Sequence, residues 1–170
     1  MNQFKITINQ QLLILFPFLS INFVVILGYY LIFREDPINA LIVLLFLFVF
    51  IINVLPVLIL HLQYLIKNWK SILKIDTEKS LIIYQKDKNS LKYSFNDIET
   101  LKFYATHGHI SKRGSSLWYT FDPYRFYKIT FRDQEEIIIT CLMINNIENT
   151  LEQLLGITAE RKFRMIPLIY

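Results

Sequence analysis

The sequence predicts a membrane α-hairpin followed by an α+β domain: two transmembrane helices, then about seven antiparallel strands and a closing helix. Three observations carry this. Leu12 to Phe33 and Ile38 to Leu62 are apolar runs free of Asp, Glu, Lys and Arg, each longer than the ~20 residues a helix needs to cross about 30 Å of hydrocarbon. From Ser71 onward, continuous apolarity gives way to short alternating runs, the pattern of half-buried strands. After Leu142 the period changes again, and Ile144, Ile147, Leu151, Leu154 and Leu155 share one helical stripe that Gly156 can end. The expected division is an N-terminal segment and hairpin over residues 1–66, then a cytoplasmic domain with a basic and apolar tail over 67–170.

Only Arg34, Glu35, Asp36 and Pro37 separate the two apolar runs, which implies a tight turn. That turn offers Arg34 as its sole cation, whereas the opposite side offers Lys5, Lys67, Lys70 and Lys74. By the positive-inside rule both termini are expected in the cytoplasm. Tyr29, Tyr30 and Phe33 then fall near the outer boundary and Tyr64 and Trp69 near the inner one, where amphipathic rings prefer to sit. Pro17 lies at a depth similar to Pro56, and Ser20 to Asn53, at 1.5 Å per residue. Ser20, Asn22 and Asn53 are therefore candidate intramembrane packing residues, each hydrogen bond between helices or copies being worth about 1 kcal/mol. The alternative is a polar, kinked track for a lipid or partner helix. No ionisable residue sits mid-span to suggest a proton or ion path. The first run is too long for the apolar region of a signal peptide, and no small-residue cleavage pattern follows, so no cleavage is expected.

Charge is divided as unevenly as hydropathy. Lys5, Arg34, Glu35 and Asp36 cancel within the first 66 residues, so the net +4 of the chain lies entirely in the remainder. A pI near 9.1 suits an anionic leaflet better than nucleic acid, which calls for a dense basic stripe. The single cysteine, Cys141, excludes an internal disulfide and any CxxC zinc site. It reads as a small buried hydrophobe.

The expected strands are Ser71–Asp76, Leu81–Lys86, Leu91–Phe95, Glu99–Thr106, Leu117–Phe121, Phe126–Phe131 and Ile137–Leu142. Asp, Asn and Ser punctuate the first three as hairpin turns. His107 to Ser116 is a polar loop. In the sixth strand, Tyr127, Ile129 and Phe131 lie opposite Lys128 and Arg132, as on a sheet with one wet face.

Several of these segments together carry a likeness. The second span runs through His61-Leu-Gln-Tyr64 into the first strand, and Phe95-Asn-Asp-Ile98 steps on from the third. Tyr127-Lys-Ile-Thr-Phe-Arg-Asp133 then precedes Glu136-Ile-Ile-Ile-Thr140 and the terminal helix. Over nearly its whole length the chain resembles the bacterial pleckstrin-homology-like families, small membrane proteins with two N-terminal transmembrane helices and a cytoplasmic PH-like domain. The resemblance implies a PH-like split β-barrel of two orthogonal sheets capped by the C-terminal helix. It implies binding rather than chemistry, since PH-like folds host many binding functions. In eukaryotic lipid-binding relatives the first strand-to-strand loop carries clustered Lys and Arg for inositol phosphates. Here the loop after the first expected strand is Asp76-Thr-Glu-Lys79, short and acidic, which argues against that site.

His107-Gly-His109 is the only His pair at ligand-like spacing, and no third donor lies nearby, so neither metal nor cofactor is expected. Lys112 and Arg113 in the same loop, and Arg161, Lys162 and Arg164 in the tail, are candidate membrane- or partner-binding residues. Each basic residue contributes about 1 kcal/mol at an anionic surface, and Met165 to Tyr170 either enters the interface or packs on the barrel. Asp97, Asp122 and Asp133 sit at turns, and there is no phosphate loop or nucleophile elbow, so no enzymatic activity is expected. The expected function is a membrane-anchored interaction module binding a protein, peptide or lipid. The alternative is a small accessory subunit docking through its hairpin into a larger membrane complex. The expected partners are the lipid bilayer and a membrane protein or second copy, not nucleic acid. The expected location is the bacterial cytoplasmic (inner) membrane, multi-pass, with both termini cytoplasmic.

Overall fold

Two four-stranded sheets carry the fold in the computed structural model, which describes residues 1–33, 40–106, 121 and 123–169, without the side chains at 17, 32–33, 40–47, 49 and 53. The elements are β1 (Asn2–Lys5), α1 (Ile8–Phe33), α2 (Ala40–Asn68), β2 (Ser71–Asp76), β3 (Leu81–Lys86) and β4 (Asn89–Ser94). A 3-10 turn at Phe95–Asp97 leads to β5 (Ile98–Ala105), β6 (Phe126–Phe131), β7 (Glu136–Thr140), α3 (Ile147–Leu155) and β8 (Glu160–Phe163). Sheet A runs β1-β2-β3-β4 and sheet B runs β7-β6-β5-β8.

Alternation builds these strands. In β2, Ser71, Leu73 and Ile75 point into the core while Ile72, Lys74 and Asp76 are half-exposed. The register sets Leu73 opposite Tyr84 and Ile75 opposite Ile82, so one face of sheet A is continuous apolar surface. Ser80 and Asp87 adopt left-handed backbone in the connecting turns, at φ 52° and 53°. The 3-10 turn is held by a reciprocal box: the Ser94 amide donates to Asp97 Oδ2 at 2.7 Å and the Asn96 amide to Ser94 Oγ at 3.3 Å. Tyr93 then crosses to sheet B, stacking on Phe131 with centroids 3.8 Å apart and donating to Asp133 Oδ2 at 2.8 Å.

The core lies among Leu73, Ile75, Ile82, Phe103, Ile129 and Ile139, all fully buried. α3 presents Ile147, Leu151 and Leu155 to it and stops at Gly156, whose φ of 67° is the left-handed conformation that glycine adopts at least cost. Cys141 is buried, and that burial pushes its thiol up to about 11.

The expected order of the chain is corrected at its first residues. A strand, not a helical hairpin, comes first: β1 pairs along its length with β2, Asn2 opposite Ile75 and Lys5 opposite Ile72. The β domain thus begins at residue 2, and α1 and α2 form an insertion between two neighbouring strands of sheet A. Among the described residues, only Phe50–Asn68 is by itself long and apolar enough to cross a membrane. Ile8–Phe16 and Phe18–Leu31 meet at a 46° bend and would make a second span only if counted as one. The break falls at Pro17, which cannot donate the helical hydrogen bond. The transmembrane hairpin ahead of the domain is therefore not what the structure shows. Nor are the strands about seven and all antiparallel: eight lie among the described residues, and β8 runs parallel to β5. Of the expected strand Leu117–Phe121, residues 117–120 lie outside the described residues.

Candidate functional site

α2 has two apolar faces with different surroundings. Val57, Leu60 and Tyr64 recur at helical spacing and are wholly buried, whereas Leu58, Ile59, Leu62 and Ile66 are each about half exposed or more. Polar side chains fasten the buried face to sheet B and the tail. Asn68 Nδ2 donates to the Ile138 carbonyl at 2.7 Å, and the Thr140 amide donates to Asn68 Oδ1 at 3.0 Å. One amide side chain thereby substitutes for a neighbouring strand at the β7 edge. Gln63 does the same for the tail: its Nε2 donates to the Ile169 carbonyl at 2.6 Å, and the Ile169 amide donates to its Oε1 at 3.1 Å. Tyr64 donates to the Pro167 carbonyl at 2.8 Å, and His61 Nδ1 shares a 3.1 Å hydrogen bond with the Tyr124 hydroxyl. Desolvation drives the Tyr124 phenol well above its ordinary value.

The opposite surface is apolar and open. In α1 the consecutive residues Phe23 to Leu27 are all exposed, and five residues exceed the 3.6 of one turn. Among the described residues, none of these five is buried. An exposed stripe on α2 continues from Phe48 through Ile52, Leu55 and Leu62 to Ile66. Soluble monomers rarely expose contiguous apolar patches beyond a few hundred Å². Where the helices meet the domain, Lys5, Lys67 and Lys70 are exposed beside Trp69, which is 54% exposed. Among the described residues none of these lysines has an ion-pair partner.

The polar residues expected to pack within the membrane sit on these helices. Ser20 Oγ donates to the Phe16 carbonyl and Asn22 Nδ2 to the Phe18 carbonyl, both at 2.8 Å, so each bonds within its own helix. Asn53 belongs to α2, but its side chain lies outside the described residues.

The basic residues of the tail are brought onto sheet B. Residues Glu160 to Phe163 pair with Lys102 to Ala105 of β5. Arg161 lies with its guanidinium carbon 4.7 Å from the Phe103 ring centre, Nη1 3.3 Å from Glu148 Oε1 and Nη2 2.9 Å from Glu152 Oε1. Tyr127 closes this group, donating to Glu152 Oε1 at 2.8 Å and the Glu148 carbonyl at 3.1 Å. Burial and the bond to Glu152 hold its phenol well above the ordinary value. Lys162 pairs with Glu160. Arg164 stacks on Tyr104 at 4.7 Å and donates from Nη1 to the Leu168 carbonyl at 2.9 Å. Lys112 and Arg113 lie outside the described residues, as do His107 and His109. Among the described residues no three His, Cys, Asp or Glu come close enough to hold a metal.

Sequence reasoning missed Gln63, Asn68 and the pair Glu148 and Glu152. The last two carried a signal, being four apart on a predicted helix ahead of a basic run. The acidic loop Asp76–Lys79 is also relocated: it joins β2 to β3, and the first strand-to-strand connection is residues 6–70. The argument drawn from that loop against an inositol-phosphate site therefore lapses.

The sequence profile of a family described as PH domain matches residues 3–153, from β1 into α3. No curated protein and no solved structure matches the chain.

Proposed function

Because the chain belongs to the PH domain family, we propose that it is a non-enzymatic interaction module, held at a membrane by the apolar insertion between β1 and β2, where it binds a protein, peptide or lipid. The family itself supports the interaction role. One observation carries the membrane: the exposure of Phe23 to Leu27 around a full turn of α1, a surface that water disfavours by about 25 cal/mol per Å².

The rim of the insertion supports the same reading. Exposed aliphatic residues reach Ile66, and Lys67, Trp69 and Lys70 follow at once. Hydrocarbon, then an aromatic ring and cations, is the order met on crossing from lipid tails to headgroups. β1 and β8 both belong to the domain, so under this reading the two chain ends share one side of the membrane. Under the positive-inside rule, Lys5, Lys67 and Lys70 support a cytoplasmic side, as at a bacterial inner membrane.

The test is the full chain in membranes. It is expected to stay with the membrane pellet in alkaline carbonate and to float with phosphatidylcholine vesicles after detergent removal. A monodisperse protein in detergent-free buffer that stays below the vesicles would overturn the proposal.

A further inference from the structure

The strip of surface beside β5 and α3 has the make-up of a receptor for an arginine on an extended chain. Glu148 and Glu152 stand one helical turn apart and address two different guanidinium nitrogens of Arg161, while the Phe103 ring lies against its face. Tyr127 secures Glu152 from behind. A planar fork over a ring fits arginine and not lysine, whose ammonium is a compact point charge. Below the arginine, the open edge of β5 takes a strand in register from Lys102 to Ala105. Farther along, Tyr64 and Gln63 take the backbone of Pro167 and Ile169.

The parts of this receptor and the segment that fills it differ in one respect. Gln63, Tyr64, Phe103, Tyr127, Glu148 and Glu152 all lie within the stretch matched by the PH domain profile, and residues 160–169 lie beyond it. The first part of the filling segment is also held shallowly, whereas Pro167 and Ile169 farther along are buried. All four residues of β8 are exposed, and its ladder with β5 is parallel, the slightly weaker arrangement per residue. Arg161 itself remains about a third exposed, with its side chain at 35%.

We propose that this groove is a docking site for an extended, arginine-bearing peptide segment of a partner protein, and that residues 160–169 occupy it as an internal stand-in that the partner displaces. The proposal rests on the interaction-module reading but not on membrane placement. Strand addition supplies the backbone hydrogen bonds and the two glutamates supply the charge complementarity. The tether gives the tail a local concentration of roughly millimolar order, so an outside segment competes against a standing occupant.

A labelled peptide copying residues 159–170 tests this by fluorescence anisotropy on the full chain in detergent. The Arg161→Ala chain, with its own tail weakened, is expected to bind the peptide about tenfold more tightly than the unaltered chain. Lysine in place of Arg161 in the peptide, or Glu152→Gln in the receiving chain, is expected to weaken that binding about tenfold. No saturable binding to the Arg161→Ala chain overturns the proposal, whether or not hydrogen exchange shows β8 released. Concentration-dependent dimers that the peptide dissociates would overturn it too, by making the occupant the tail of a second copy. Flotation of the same Arg161→Ala chain with vesicles reports the membrane reading separately, so the two can fail independently.

Discussion

Along the same turns of α2, Val57, Leu60 and Tyr64 are sealed from solvent while Leu58, Ile59 and Leu62 stand about half exposed. The two faces are equally apolar, and they differ in their polar companions. The buried side carries His61, Gln63, Tyr64 and Asn68, each with a hydrogen-bond partner in the domain or tail. The exposed side over this stretch is purely aliphatic. Apolarity says that a surface avoids water, whereas interspersed hydrogen-bonding groups say that its cover is protein. A surface without them suits a medium that offers no partners.

The contrast can be broken by substitution, and the largest effect is expected at Tyr64. Tyr64→Ala empties a fully buried site and strips the Pro167 carbonyl of its donor, with an expected loss of about 3–5 kcal/mol in chemical denaturation of the domain. Asn68→Ala is next. It leaves the Ile138 carbonyl and Thr140 amide unpaired, an expected loss of roughly 2–4 kcal/mol by the same measurement.

Alkaline pH acts on buried groups of the domain. The Cys141 thiol and the Tyr124 and Tyr127 phenols sit above their ordinary values of 9.0 and 10.0. Between the ordinary and the raised values the folded chain keeps protons that the unfolded chain has released. Stability is then full below pH 9 and falls above it, by on the order of 1 kcal/mol per pH unit for the buried thiol. Melting temperatures across pH 7–11 are expected to be level first and then decline. A rise above pH 10 would contradict the assignment. Least affected should be Leu62→Ala on the exposed face, at under about 0.5 kcal/mol in domain stability but with weaker vesicle partitioning. Equal destabilisation by Leu62→Ala and Tyr64→Ala would erase the distinction between the faces.

Strands with an apolar beat were legible. Alternation and turn residues set β2, β3 and β6 at the bounds the structure shows, and the leucine stripe with Gly156 marked α3. The two edge strands were not. β1 is Asn-Gln-Phe-Lys, too short and polar to show a period, and its partner lies beyond both helices. β8 is Glu-Arg-Lys-Phe, whose charges read as a solvated tail because a wet edge strand has no apolar face. Missing β1 turned an insertion into a leading hairpin. Missing β8 made Arg161 and Arg164 look free when ring faces, carboxylates and a carbonyl take them up.

The pairing of β1 with β2 also orders the making of the protein. When β1 leaves the ribosome its partner does not exist, and it cannot exist until both apolar helices have been synthesised. Closing the pair across residues 6–70 costs about 2–3 kcal/mol more in chain entropy than a four-residue turn would. That deficit shrinks once the helices are formed and their ends held near each other. The β1–β2 pair therefore closes only after the whole insertion has been made.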